Sequence, residues 1–412
     1  MAEGTRGSLA GLRVIEISTS VAGPLAGQIL GDLGAEVIKV ERVGAGDDTR
    51  AWTPPSWGGE STTFLHLNRN KLSLELDYKD PRGNQVLRDL IASADVLVQN
   101  LRPGALAKAG FSWEQLQEIN PRLVYCDMTG FGRTGPKAAE PAYDPLLQAY
   151  TGIVDMMGTG DGPPARVPLS VLDKGTAMWA AIGVLDALRT VEQTGRGVHV
   201  GVSLLETAVT WTHGNVMGAL AGNPKPKNLG SGLAGVVPYG AFPTSDGWAF
   251  VSAGNQTLWT RFCAAVDAED LMTREGFGSN PERSANRAVV EAAVGEVTSR
   301  FTKAELVARL NEAGVPCSEI NEVADMVDDP QVKALGLLEK MDHPQVPDFE
   351  VVNLPITFGG EYPEHQCPPP ALGADTDRVL AGLGVSEETI AELRRDGIVD
   401  VAAASEDAGT LA

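Results

Sequence analysis

The stretch LRVIEISTSVAGPLAGQILGDLGAEVIKVER, running from Leu12 to Arg42, decides the fold class. Leu12 to Ile17 is a short β-rich run, and Leu25 to Leu33 spaces its apolar residues as a helix does. Glu36 to Glu41 is strand-like again, and Gly23-Pro24, Gly44 and Gly46 lie in the loops between and after these segments. The stretch therefore reads as a βαβ unit with a right-handed crossover. Further on, Pro81 to Ala94 predicts a helix, Val96 to Val98 a strand, Trp113 to Ile119 a helix and Leu123 to Asp127 a strand. Strands separated by helices imply a parallel sheet covered on both faces, hence an α/β protein.

Composition changes after Tyr143. Thr176 to Thr190 (TAMWAAIGVLDALRT) is apolar nearly all round, which predicts a buried helix, and Leu204 to Leu220 is a second such stretch. Gly222-Asn223-Pro224 and Leu229 to Gly235 read as a linker or mobile loop. From Val236 the α/β pattern restarts, with strands around Gly240 to Pro243 and Trp248 to Ala253. Helices follow over Thr257 to Val266, Ala285 to Phe301 and Lys303 to Ala313. Pro344 to Pro370 is Pro-rich and connecting, Glu387 to Asp396 is a charged helix, and the tail after Ala402 reads as disordered. The expected organisation is a large domain from 1 to 222, a small α/β domain from 223 to 325, and a segment from 326 to 412 that returns to the large domain.

A chain of 412 residues suits two cores rather than one. Lys and Arg number 33 against 54 Asp and Glu, and the net charge of -21 repels nucleic acid and anionic membranes. An anionic small ligand then needs a locally basic pocket. Cys126, Cys263, Cys317 and Cys367 form no C-x-x-C pair, and the five histidines are scattered, so no metal site is expected and a reducing cytoplasmic compartment fits. Met1 to Ser8 reads as a short arm rather than a signal peptide, and apolar runs break well before the ~20 residues a membrane span needs.

Gly130-Phe131-Gly132-Arg133-Thr134-Gly135 matches G-x-G-x-x-G, but a dinucleotide fingerprint requires a helix to open there. Pro136, Lys137 and Pro141 follow instead, which predicts a turn. Neither a P-loop nor a G-x-S-x-G elbow is present. Arg42, Lys71, Lys79, Arg102 and Lys108 fall near predicted strand ends. Singly each is an ordinary surface charge, whereas the set suits an anion bound beyond the carboxyl ends of strands.

Segments spread from Leu9 to about Val399 together resemble the family III CoA-transferases, a group that also includes the α-methylacyl-CoA racemases. They include GPLAGQILGDLGAEVIKVER, NRNKLSLEL, VLVQNLRPG, GFGRTGP, PPARVPLSVLDKGTAMWAAIGVLDAL, VPYGAFPTSDGW and AGVPCSEINEV. The resemblance implies an open Rossmann-like large domain plus a small α/β domain in an interlocked homodimer. The active site would lie between the large domain of one subunit and the small domain of its partner. It implies acyl-CoA and a carboxylic acid acceptor as substrates, with no permanently bound cofactor. Asp173, in Leu172-Asp173-Lys174-Gly175, falls where the family carries its covalent nucleophile, although taken alone an aspartate there reads as a helix N-cap. Arg42, Leu76, Lys79, Asn100, Leu101, Arg102 and, more weakly matched, Lys108 fall where the family contacts the CoA nucleotide. Leu76 and Leu101 would bracket the adenine. Tyr143 matches a tyrosine beside the pantetheine arm.

Val21 falls near the reacting thioester, where formyl-CoA transferases carry glutamine, which argues against oxalate or formate. The alternative activity is α-methylacyl-CoA racemisation, which in that branch of the family uses a His-Asp pair. Tyr143 occupies the histidine position here, and a phenol with an ordinary pKa of ~10 is a poor base. Only Gly230-Ser231-Gly232 and Gly235 stand where formyl-CoA transferases have a glycine-run flap, and Trp211, Trp248 and Tyr239 are candidate acceptor-pocket aromatics or core residues.

Overall fold

A computed structural model of the chain describes residues 7–158 and 162–400, so the expected disorder after Ala402 lies outside the described residues. The chain folds as two compact units. The first contains the described residues up to Thr151, Pro168–His213 and the described residues from Leu335 onward. The second contains Gly152–Val167 and Gly214–Ala334.

The first unit is built on six parallel strands: β1 (Arg13–Ile17), β2 (Glu36–Glu41), β3 (Lys71–Glu75), β4 (Val96–Gln99), β5 (Val124–Thr129) and β6 (Val198–Ser203). Their order in the sheet is β3-β2-β1-β4-β5-β6, the doubly wound Rossmann order. Side chains alternate between faces along each strand, so Val14 and Ile15 enter different cores. Ile15, Ile38, Leu74 and Leu97 pack with Leu87 and Ile91 of α3 (Pro81–Ala92), Leu116 of α4 (Trp113–Ile119), Leu380 of α11 (Thr376–Gly382) and Leu393 of α12 (Glu387–Arg395). On the other face Val14, Val37, Val96 and Val124 pack with Ala26 and Leu30 of α1 (Ala22–Asp32) and with Ala177, Ala180 and Val184 of α6 (Val171–Thr194).

That second face also hides charge. Glu16, Lys39 and Lys71 are 0% exposed in their side chains, and Glu16 bridges Lys39 at 2.7 Å and Lys71 at 2.8 Å. Lys39 also meets Asp47 at 2.8 Å, while Lys71 donates to Pro24 O and Asn68 Oδ1. A Cβ at Gly27 would lie 2.0 Å from Glu16 Oε2, so only glycine lets α1 sit over this carboxylate. Lys71 therefore leaves the set of ligand-facing cations expected from the sequence. Burial lowers its pKa to about 8 against the pull of Glu16, whereas the carboxylates of Glu16, Asp47 and Glu41 outweigh burial and hold Lys39 well above the lysine range.

The second unit contains an antiparallel sheet of β7 (Tyr239–Thr244), β8 (Gly247–Ser252) and β9 (Cys317–Glu319). Residues of α8 (Gln256–Ala265), α9 (Arg287–Thr298) and α10 (Lys303–Glu312) pack on it around Trp259, Phe262, Val294 and Leu306. The segment expected to be a mobile loop is tied to this unit. Arg287 donates to Leu233 O and Val236 O, Asn280 donates to Gly235 O, and Ser231 Oγ accepts from Ala241 N.

Candidate active site

Parallel strands put all their carboxyl ends on one edge, and the strand order decides which loops meet there. Arg42 follows β2 and Arg102 follows β4, the two neighbours of β1 at the point where the strand order reverses, and Lys79 follows β3, the edge strand beyond β2. Lys79, Arg102 and Lys108 are exposed, and their charged ends form no ion pair among the described residues. Arg42 is also exposed, but its guanidinium already donates to Gly46 O and meets Asp48 at 2.5 Å.

Asn100 has a different task from the cations around it. Its Oδ1 accepts from Thr19 N at 2.9 Å and its Nδ2 donates to Thr19 O at 2.7 Å, clamping the loop after β1. Asp47 takes the next amide, Ser20 N, at 3.1 Å and holds Ser20 at φ 69. The clamped loop ends at Val21, which is buried at the N-cap of α1. Leu76 is 2% exposed and belongs to the core, with its amide bonded to Glu41 O. Leu101 is half-buried and is the leucine of that expected pair with surface to offer a base.

Helix α6 runs back from the same edge, because it leads into β6. Asp173 lies within its first turn, rather than before the helix or at its N-cap; Ser170 is the N-cap residue and makes no side-chain cap bond. The cap comes from Asp144, in the first turn of α5 (Asp144–Tyr150), whose Oδ2 accepts from Leu172 N at 2.6 Å and Asp173 N at 3.2 Å. The Asp173 carboxylate is half-buried and accepts no hydrogen bond and forms no ion pair among the described residues. A helix N-terminus ordinarily stabilises a carboxylate, but Asp144 already occupies these amides. Burial and then the Asp144 charge push the Asp173 pKa up to about 7.

The aromatic candidates separate. A Cβ at Gly175 would lie 2.3 Å from the Trp211 ring, so glycine lets the indole of α7 (Leu204–Trp211) lie against this turn. Thr176 and Thr207 hydrogen-bond beside it at 2.8 Å. Trp248 and Tyr239 belong to the second unit. Tyr143, at the N-cap of α5, is 64% exposed. Asp-Pro at 144–145 marks a helix start, but no local signal says that its carboxylate caps a helix 28 residues on.

Residues 130–138 form turns, with no helix opening after the glycines. A cavity of about 450 Å³ in the first unit opens beside Gly34 and Glu36 at the amino end of β2, away from the cations, and is lined by Asp32, Glu36 and Glu364. Among the described residues no three His, Cys, Asp or Glu side chains gather as a metal site, and no helix is long and apolar enough to cross a membrane.

The model of CoA-transferase family III matches residues 9–376. The chain belongs to this family. The CoA-transferase is 35% identical to human succinyl-CoA:glutarate CoA-transferase over 393 residues, covering 95% of this chain and 90% of the relative. It is 36% identical to the succinate--glutarate CoA-transferase of Agrobacterium fabrum over 391 residues, 92% of this chain and 97% of the relative. A CAIB/BAIF family protein from Brucella suis superposes with a TM-score of 0.85 at 35% identity, over 92% of the transferase and all of that structure. CoA-transferases take CoA thioesters as substrates, and the cations at the sheet edge suit the phosphates of such a ligand.

Proposed function

We propose that the enzyme moves CoA from an acyl-CoA to a carboxylic acid with Asp173 as the covalent nucleophile. The observation that carries this reading is the half-buried Asp173 carboxylate, without a hydrogen-bond or ion-pair partner among the described residues, at the carboxyl edge of the sheet whose loops also carry Arg42, Lys79 and Arg102. Desolvation keeps such a carboxylate basic, and so nucleophilic. A carboxylate oxygen attacks the thioester carbonyl, and the C–S bond breaks to give a mixed anhydride and CoA thiolate. The thiolate then attacks the aspartyl carbonyl, releasing the donor acid and leaving an aspartyl-CoA thioester. The acceptor carboxylate attacks that thioester, forming a second anhydride and freeing the thiolate again. Attack of the thiolate on the acceptor's acyl carbon makes the product and restores Asp173. Thioester and anhydride are close in energy, so no step needs ATP.

Arg42, Lys79, Arg102 and Lys108 would hold the phosphates, Leu101 would cover the adenine, Asn100 would fix the Thr19–Val21 loop, and Tyr143 would border the pantetheine arm. The relatives' names support short dicarboxylic acids of the succinate and glutarate class. Val21 in place of glutamine supports acids larger than formate or oxalate. A homodimer fits the exposed Met178, Trp179, Ile182 and Leu185 on one side of α6, a face that a second copy of the chain would cover. Four free cysteines fit a cytoplasmic location.

Intact-protein mass after mixing with acyl-CoAs and then hydroxylamine tests the chemistry. A hydroxamate at Asp173 in the wild type and none in Asp173→Ala is expected, with turnover in the variant down by about 10⁴-fold or more, on the order seen when a covalent nucleophile is removed. Absence of any adduct, together with solvent deuterium entering C2 of a branched acyl-CoA, would replace this reading by racemisation.

A further inference from the structure

Asp144 is 2% exposed, and its two carboxylate oxygens serve different partners. Its Oδ2 accepts from the Leu172 and Asp173 amides of α6, and its Oδ1 accepts from Gln148 Nε2 at 2.5 Å. Gln148, one turn along α5, is itself fully buried, so the carboxylate is fixed from both sides. Resting on the reading of Asp173 as nucleophile, we propose that Asp144 is a positioning residue for the reaction. It docks the first turn of α6 so that the Asp173 carboxylate is presented unbonded to substrate, and it keeps a second negative charge behind that carboxylate.

The division of labour follows from the geometry. Had the α6 amides been free, the Asp173 side chain at this position could have folded back on them as a cap, becoming less basic and poorly aimed. Asp144 removes that alternative by taking the amides itself. Its charge then acts in the direction that favours attack, since a carboxylate facing a like charge holds a proton, and shares an electron pair, more readily. A neutral acceptor could supply the cap but not the charge.

The other groups near this turn do not replace it. Thr207 and Trp211, the α7 side chains against Gly175 and Thr176, are uncharged, and Glu206 of α7 accepts from Ser203. Lys174 is next to Asp173 in sequence and interacts with His66 of α2 (Thr62–Leu67). Burial is the first cause of the raised Asp173 pKa, and Asp144 is the charge that adds to it.

The test compares Asp144→Asn, which keeps an acceptor oxygen, with Asp144→Ala, which does not. In the Asn variant the acid limb of kcat/KM for the donor acyl-CoA should move down by about one pH unit. Its kcat on the alkaline plateau should fall by about three- to tenfold, while KM changes less than about threefold. The Ala variant should show the same displaced limb and a lower Tm. A titration of ¹³Cγ-labelled aspartate, with Asp173 assigned through Asp173→Asn, reads the same displacement without substrate. It therefore separates this proposal from the nucleophile assignment, which the hydroxylamine adduct decides. An Asn variant with wild-type kcat and a wild-type Asp173 midpoint overturns the proposal and leaves Asp144 as a cap. An Asp173 midpoint in the ordinary aspartate range of the wild type overturns it with no variant at all.

Discussion

Among the places where the first unit buries acidic side chains, two treat them oppositely. Beneath α1, Glu16 is shared by Lys39 and Lys71, and Asp47 completes the pairing, so each carboxylate has a cation within 2.8 Å. At the start of α6, Asp173 is half-buried with no cation paired to it among the described residues, and a second carboxylate, Asp144, is bonded to its own amide. Burial of a charge thus marks no function by itself. Paired charge holds a shape, here the β1 loop and the sheet beneath it, whereas the Asp173 carboxylate is left without a cation among the described residues.

The largest effect expected from this contrast is on the compensated side. Glu16→Gln leaves Lys39 and Lys71 short of an anion in a fully buried site, and should cost about 3–4 kcal/mol in urea unfolding. A loss below about 1 kcal/mol would mean that the cluster is dispensable and the contrast empty.

Asp173→Asn should act in the other direction, stabilising the fold while abolishing turnover. The sign follows from the raised pKa. Well below pH 4, near pH 2, folded and unfolded states are both protonated, and Asp173 imposes no penalty. As pH rises from there to about 7 the unfolded state ionises first, so stability is lost, and above 7 the loss stays constant. The shift corresponds to roughly 4 kcal/mol, which screening by solvent at a partly exposed group reduces to about 2 kcal/mol, so the variant should gain about that much over wild type at pH 8 and nothing near pH 2. A gain independent of pH would show that something other than the buried charge is relieved.

The smallest effect belongs to the exposed cations. Arg102→Ala should raise the KM for acyl-CoA about fivefold, ~1 kcal/mol, with kcat unchanged, because one solvated charge on a phosphate contributes binding common to ground and transition states. A fall in kcat at unchanged KM would move Arg102 from the nucleotide to the reacting centre.

How much of this was legible in the sequence differs from residue to residue. Glu36–Glu41 and Trp113–Ile119 stand where periodicity put them, because short amphipathic or β-branched segments follow local rules. Thr176–Thr190 read as buried all round, yet its alanines face α1 and the sheet while Met178, Trp179, Ile182 and Leu185 are exposed. An all-apolar helix carries no mark of which side its own chain covers. Lys71 looked like Lys79, since both fall near predicted strand ends, and only packing showed that one is buried in an ion cluster and the other exposed.

Local order and family motifs, both written along the chain, sufficed for an α/β protein, for the turn at Gly130–Gly135, and for Asp173, Arg42, Arg102 and Tyr143 as candidate site residues. The strand order β3-β2-β1-β4-β5-β6 was not among these, nor was the cap that Asp144 places on α6, nor the pairing of Glu16 with two lysines. Each joins segments about 23 to 55 residues apart or more, where contact depends on how the whole sheet closes rather than on neighbouring residues. Burial sets the charge state of Asp173, and burial belongs to the folded chain alone.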